Sequence, residues 1–285
     1  MDTAQSTSTL TPLSDLIAAY RIPDIKGQTS LTEYQEMRAT MLNDERIPAV
    51  NGVECEICGN KGIIYYVRED AICGRECECM PRRRANAALL RCGFTGDMLD
   101  MSFDNYTTAQ EWQARAAEKA RKYAESDCTD WLFFSGQNGS GKTHLCTAVC
   151  KMLIDKGITV VYLIWDELRQ RLEANRYNEE GYNKIIREIK GAEVLYIDDF
   201  LKTEHRSNEK PAPPTKEDMK AAFAVINARY MVKKRTIIST EHIASEIIDY
   251  DTAVGGRIQQ RSNGYMIQID RAAGRDYRLY RHKGG

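Results

Sequence analysis

From about residue 103 onward the chain alternates two kinds of segment. Short, nearly continuous apolar runs fall at residues 131–134, 159–165, 193–197 and 235–239, with a weaker one at 265–269. Runs of this length without a polar face predict strands buried on both sides. Between them lie stretches with helical spacing, such as Met219, Ala222, Phe223, Ile226 and Tyr230. The alternation predicts a three-layer α/β domain over 103–285, with a five-stranded, mostly parallel sheet covered by helices. Residues 203–215 carry Pro211, Pro213 and Pro214 among charges and predict a mobile loop. No internal repeat is visible.

The pattern before residue 103 is different. Leu13, Leu16, Ile17 and Tyr20, then Leu31, Tyr34, Met37 and Met41, recur at helical spacing in a polar background, which predicts a small helical region over 1–50. A cysteine-rich segment follows over 51–80. Pro81-Arg82-Arg83-Arg84 opens a connector, read as a linker over 81–102.

Composition changes this picture in two places. The 285 residues suit about two domains, and 40 basic against 41 acidic residues give a net charge of −1. That balance excludes a wholly basic nucleic-acid binder. Yet residues 255–285 hold Arg257, Arg261, Arg271, Arg275, Arg278, Arg281 and Lys283 against Asp270 and Asp276, so the carboxyl-terminal stretch is locally basic. Such a stretch suits nucleic acid, or arginines that reach a γ-phosphate within or between subunits. The run at 160–165 is far shorter than a membrane span, and the first residues lack a secretory pattern. The expectation is a cytoplasmic protein. Nine cysteines are many for a reducing compartment, and five of them fall between Cys55 and Cys79.

The clearest chemical signal is Gly136-Gln137-Asn138-Gly139-Ser140-Gly141-Lys142-Thr143, a complete G-x-x-x-x-G-K-[ST] phosphate loop. A strand precedes it. The helix after it carries Leu145, Val149, Met152 and Leu153 on one face and stops at Gly157. Glycines let backbone N–H groups curl around phosphate oxygens at a helix amino terminus. Lys142 would reach the β- and γ-phosphates of ATP, and the Thr143 hydroxyl would ligate Mg²⁺. A second apolar strand ends in Asp198-Asp199, at the carboxyl edge of the sheet. Asp198 would hold Mg²⁺ through water, and Asp199 would polarise the attacking water. The strand at 235–239 leads to Ser239-Thr240-Glu241 at the same edge.

Cys55-x₂-Cys58-Gly59 has the form of a zinc knuckle. Its partners come from Cys73, Cys77 and Cys79, one more than a tetrahedral site needs. With no histidine nearby, the site would be all-sulfur and structural, bound Zn²⁺ folding a segment too small to fold alone.

Taken in order, GQNGSGKTHL, EVLYIDDF, RTIISTEH, AVGGRIQQ and GRDYRLY, with FDNY ahead of them and CxxCGNKG…RECECM upstream, resemble the AAA+ ATPases. The chain looks most similar to replicative helicase loaders of the DnaC/DnaI kind, particularly those of Gram-positive bacteria and their phages. The resemblance covers roughly residues 50–285. It implies that Gly136–Thr143 is the Walker A loop, with His144 after it also on the nucleotide, and that Asp198-Asp199 are the Walker B acids. It implies that Ser239-Thr240-Glu241 stands at sensor 1, with Thr240 on the nucleotide. Arg257 would be the arginine finger and Arg278 the sensor-2 arginine. RECECM favours Cys77 and Cys79 over Cys73 beside Cys55 and Cys58. The segment 166–182, with Arg169, Arg171 and Arg176, corresponds to the insertion that binds single-stranded DNA. The sequence departs from the usual pattern with Asp-Asp for Asp-Glu and with Glu241 for an asparagine; the shorter second acid implies slow hydrolysis. The implied protein is an ATP-switched loader. Residues 1–80 would grip a DnaB-type ring helicase, and the subunits would self-associate through the ATP interface. Other readings are a transposition helper ATPase of the IstB type, which would generally lack the zinc segment, and a small-molecule kinase, which would need an acceptor pocket and lid arginines. A non-enzymatic zinc-ribbon adaptor would be indifferent to loss of Lys142.

Overall fold

A computed structural model describes residues 30–203 and 211–272. The chain divides into two compact units, Met1–Met80 and Pro81–Gly285.

In the first unit, helix α1 (Leu31–Asp44) begins at a capping box. Ser30 Oγ accepts from Glu33 N at 3.2 Å, and Ser30 N donates to Glu33 Oε2 at 2.7 Å. An antiparallel hairpin follows, β1 (Ile63–Arg68) and β2 (Ala71–Glu76). Its two-residue turn places Glu69 and Asp70 at φ 52° and 58°, the left-handed conformation of a type I′ turn. The Asn43 amide clamps α1 to the hairpin by bonding both Tyr65 N and Tyr65 O. Among the described residues little apolar surface is buried here: Ala39, Val53 and the cysteines Cys58, Cys77 and Cys79. The helical region expected over 1–50 is a helix only at α1 among the described residues, and Leu13, Leu16, Ile17 and Tyr20 lie outside them.

The second unit starts earlier than the sequence suggests. Residues 81–102 are not a linker: α2 (Met80–Arg91) and a 3₁₀ turn (Gly96–Asp100) bury Leu89, Phe94 and Leu99 in the core. The Arg-rich start hid this, because α2 also buries the polar residues Arg83 and Asn86. Then come α3 (Glu111–Glu125), β3 (Leu132–Gly136), α4 (Lys142–Asp155), β4 (Val160–Ile164), α5 (Trp165–Ala174) and α6 (Glu179–Gly191). The chain continues through β5 (Val194–Phe200), α7 (Lys216–Val232), β6 (Arg235–Thr240), α8 (Ala244–Tyr250), α9 (Thr252–Ser262) and β7 (Met266–Ile269). The five strands lie in the order β4-β5-β6-β3-β7, and every pairing is parallel. Both the α/β class and the strand count match the expectation.

Alternate residues of the central strands feed two cores. Trp131, Phe133, Leu195, Ile197 and Ile238 face α5 to α9. Leu132, Phe134, Val194, Tyr196 and Ile237 face α2, α3 and α4. The topology puts β6 between the strand that enters the phosphate loop and the strand that ends in the acid pair. All three therefore deliver their last residues to one edge. Arg229, fully buried, holds the opposite end of this arrangement. Its guanidinium donates to Thr236 Oγ1 at 3.0 Å, to Ile189 O and Ala192 O at 2.8 Å each, and to Arg235 O. It thereby caps the carboxyl terminus of α6 with a cation. Phe223, expected in the α7 stripe, is exposed, whereas Met219, Ala222 and Ile226 are buried. Thr215, read as loop, instead caps α7 with Asp218; the middle of the expected mobile loop lies outside the described residues.

Candidate functional site

The phosphate loop is built where β3 meets α4. Gly136 has φ 127°, and a Cβ there would lie 2.0 Å from Ile269 O, so β7 passes too close for any other residue. Gly141, at φ 85°, starts α4 and lies under the Tyr106 ring. Side chains stiffen the loop from within: Ser140 Oγ donates to Gln137 O at 2.7 Å, and Asn138 Oδ1 accepts from Gly139 N at 2.8 Å. Gln137 ties it to the strand beside it, its N–H reaching Ile269 O at 3.4 Å and its Oε1 accepting from Ala272 N at 2.9 Å. His144 lies just outside the loop. Its Nε2 lies 2.8 Å from Ser102 O and 3.1 Å from Asn105 Oδ1, and its ring meets Tyr106 edge-on. The FDNY segment is thereby fastened to α4.

Lys142 is only 6% exposed, and its Nζ donates to Gly136 O and Gln137 O at 2.9 Å each. Burial lowers its pKa, while the carboxylates of Glu241, Asp199 and Asp198 work against that. An ammonium held by two loop carbonyls beside three acids is a cation set to meet phosphate. Asp198 is also 6% exposed. Its Oδ1 accepts from Thr143 Oγ1 at 3.2 Å, from Asp199 N at 3.1 Å and from the Ser239 hydroxyl. Its Oδ2 accepts from Tyr162 Oη at 3.3 Å. Burial and the neighbouring Asp199 raise its pKa, and the hydroxyl donors counter them. The juxtaposition of the Thr143 hydroxyl and Asp198 fits a magnesium ion held by a loop hydroxyl and an outer carboxylate.

Asp199 stands differently. The β5–β6 register slips between Ile197 and Phe200, and Asp199 and Leu201 take φ 54° and 58°. The slip turns the second carboxylate out of the strand, where it pairs with Lys202 Nζ at 2.6 Å. Three residues leaving β6 clamp this bulge: Ser239 accepts from Asp199 N at 3.2 Å, Thr240 Oγ1 donates to Phe200 O at 2.6 Å, and His242 Nε2 lies 3.0 Å from Leu201 O. The Thr240 hydroxyl, expected on the nucleotide, here bonds the β5 backbone. Glu241 is the member of that group whose charge acts on Lys142.

The arginines are also rearranged. Arg257 donates to Ala253 O at 2.8 Å and lies over the rings of Phe223 and Tyr230 at 5.3 and 5.4 Å, folded onto its own subunit. Arg261, one turn later, donates to the carbonyls of Thr129 and Lys233. Arg278 lies outside the described residues. The segment 166–182 is two helices with a break at residues 175–178. Arg169 pairs with Asp166, Glu173 and Asp218, and Arg171 with Glu188, so only Arg176 of the three lacks an acid, lying over the Tyr177 ring at 5.1 Å. Tyr177 itself is 91% exposed, a feature the sequence reading missed.

In the first unit Cys55, Cys58, Cys77 and Cys79 present sulfurs all within 4.8 Å of one another. Cys55–Cys77 are 3.8 Å apart and Cys58–Cys79 are 3.7 Å apart. Four thiolates about 2.3 Å from one zinc ion would be separated by about 3.8 Å, so the donor set fits that metal. Gly62 N–H donates to the Cys58 sulfur at 3.2 Å. Burial pushes the Cys58 thiol up, but the Gly62 amide and facing thiols outweigh it and hold it at about 7. Cys73 lies within β2 opposite Tyr66, outside the cluster.

Sheet order, phosphate loop and paired acids define a P-loop ATPase of the AAA+ class. Within that class the chain belongs to the family described as the bacterial DnaA ATPase domain, whose model matches residues 99–263, more than half of its length. It is 27% identical to the uncharacterized protein YqaM of Bacillus subtilis (strain 168) over 86% of this chain and 92% of that one. It is 29% identical to the replicative helicase loader DnaC of Escherichia coli (strain K12) over 35% of this chain and 42% of DnaC. A solved structure of a candidate primosome component from Streptococcus pyogenes serotype M3 shares the fold, with a TM-score of 0.50, 14% identity and coverage of 65% of this chain and 97% of that one. The chain is thus an AAA+ ATPase related to replication proteins. No helix among the described residues is long and apolar enough to cross a membrane.

Proposed function

We propose that this ATPase loads a replicative ring helicase onto single-stranded DNA. The observation that carries the reading is the joint presence, in one chain, of the phosphate-loop and acid-pair edge and a separate four-thiolate unit with exposed apolar residues. Leu31 and Met41 of α1 are 60% and 66% exposed, which suits a protein partner. That partner is a DnaB-type helicase, as the DnaC relationship suggests. Single-stranded DNA is met by Arg176 and Tyr177, whose exposed ring offers a stacking platform at a cation.

At the nucleotide edge, bound ATP and magnesium supply the phosphoryl chemistry. Lys142 exchanges its two loop carbonyls for phosphate oxygens. Thr143 and Asp198 orient the metal side, and Asp199, once free of Lys202, holds the attacking water. The pairing of Asp199 with Lys202, and its short side chain, favour slow turnover. Arg257 and Arg278 remain the arginines assigned to neighbouring and own γ-phosphate; Arg257 must unfold from Phe223 and Tyr230 to act. Zinc held by Cys55, Cys58, Cys77 and Cys79 folds the first unit. Purified chain, mixed with the replicative helicase of its host and circular single-stranded DNA, should raise the amount of helicase encircling DNA in an ATP-dependent way. Lys142→Ala should remove the ATP dependence. No helicase binding and no loading would overturn the proposal.

A further inference from the structure

The acid pair is held from one side by β6. It is held from the other side by a residue that neither the phosphate loop nor the acid strand contains. Tyr162 lies on edge strand β4, in register with Tyr196 of β5. Its phenol is the hydrogen-bond donor to Asp198 Oδ2, the oxygen not used by Thr143, Asp199 or Ser239. The ring is packed in place on two sides. It stacks on Phe94 at 4.7 Å and 21°, and it leans on Tyr196 at 5.2 Å. Its backbone N–H is fixed to Cys92 O at 3.0 Å, and a Cβ on Gly93 would sit 3.3 Å from Tyr162 O. The turn after α2, the stretch first read as linker, therefore forms the wall that aims this hydroxyl.

When Thr143 turns to a metal, Oδ1 keeps Ser239 and the Asp199 amide, and Oδ2 keeps Tyr162. A buried carboxylate bonded on only one oxygen can rotate; one bonded on both cannot. Resting on the ATP-site reading above, we infer that Tyr162 is a positioning residue. It fixes the orientation of Asp198 and so tunes metal affinity without touching nucleotide or metal.

The test uses full-length protein and Tyr162→Phe, which removes the hydroxyl and keeps the ring. Mn²⁺ serves as the metal probe, titrated by electron paramagnetic resonance into protein loaded with ADP. Fluorescent ADP binding in EDTA and melting without ligand run in parallel. The expected result is about five-fold weaker Mn²⁺ binding, the net worth of one typical hydrogen bond, with EDTA affinity and melting unchanged. Phe94→Leu, which loosens the stacking wall and keeps the hydroxyl, should shift Mn²⁺ binding in the same direction by less. Unchanged Mn²⁺ affinity in both variants overturns the assignment. So does a lowered melting temperature in Tyr162→Phe with unchanged Mn²⁺ affinity, which would mark Tyr162 as packing alone. A wild-type protein without metal-dependent nucleotide binding would instead sink the ATP-site reading itself.

Discussion

The two units of this chain hold themselves together by different means. The ATPase unit buries two apolar layers against a five-stranded sheet, with Trp131, Phe133, Trp165 and Phe200 among its fully buried side chains. Among the described residues, the amino-terminal unit has a hairpin, one helix and a core in which thiols outnumber hydrocarbon side chains. Small units bury a smaller share of their surface on folding, so hydrophobic contact alone leaves them marginal. The contrast shows one polypeptide burying area where it has length and gathering four thiols where it does not. It also assigns the units different vulnerabilities, which experiments can separate.

The largest effect should come from metal removal. We expect one zinc per chain, and Cys58→Ser or a strong chelator should unfold the amino-terminal unit, a loss on the order of 10 kcal/mol. Nuclear magnetic resonance should show its signals collapse while ATP binding persists. Dispersed signals from α1 and the hairpin in metal-free protein would break the comparison. Phe133→Ala should do the reverse. It should cost the ATPase unit about 3–5 kcal/mol in denaturant unfolding and leave zinc content unchanged. Lys142→Ala should weaken nucleotide binding by about 10- to 100-fold while melting stays close to wild type. Isothermal titration would show whether the loop lysine is a ligand for phosphate or only a brace for Gly136 and Gln137. The smallest effect belongs to Lys202→Met. Its exposed ion pair with Asp199 is weak, so basal hydrolysis should rise by only about two- to five-fold. Steady-state phosphate release that stays flat or falls would show that Lys202 does not restrain the acid.

Much of the ATPase unit was legible because its chemistry is written in consecutive residues. The glycines, Lys142 and Thr143 occupy fixed positions in a loop, and the apolar run before Asp198 declares both strand and edge. The thiolate cluster was half legible. Cys55 and Cys58 announce themselves by spacing; spacing left Cys73, Cys77 and Cys79 open, and the resemblance singled out Cys77 and Cys79, the pair the hairpin brings to them. A turn of Glu69 and Asp70, rather than Asn-Gly, gave no hairpin signal. What escaped altogether depends on neighbours distant in sequence. Nothing local shows that Asp199 leaves the strand at a bulge, that Thr240 turns to Phe200 O, or that Arg257 folds between two rings. The buried helix at 80–91 was hidden for the related reason that its polar residues find internal positions only once the sheet exists.

Gln137 and Gly136 draw support from outside the loop, from Ile269 and Ala272, which are made roughly 130 residues later. During synthesis at about 5–20 residues per second, the phosphate loop therefore leaves the ribosome several seconds before the strand that braces it. A nascent chain carries a complete nucleotide-binding motif without a complete cradle. Strand β7 thus completes the cradle, and nucleotide affinity is expected to rise only once it has been made.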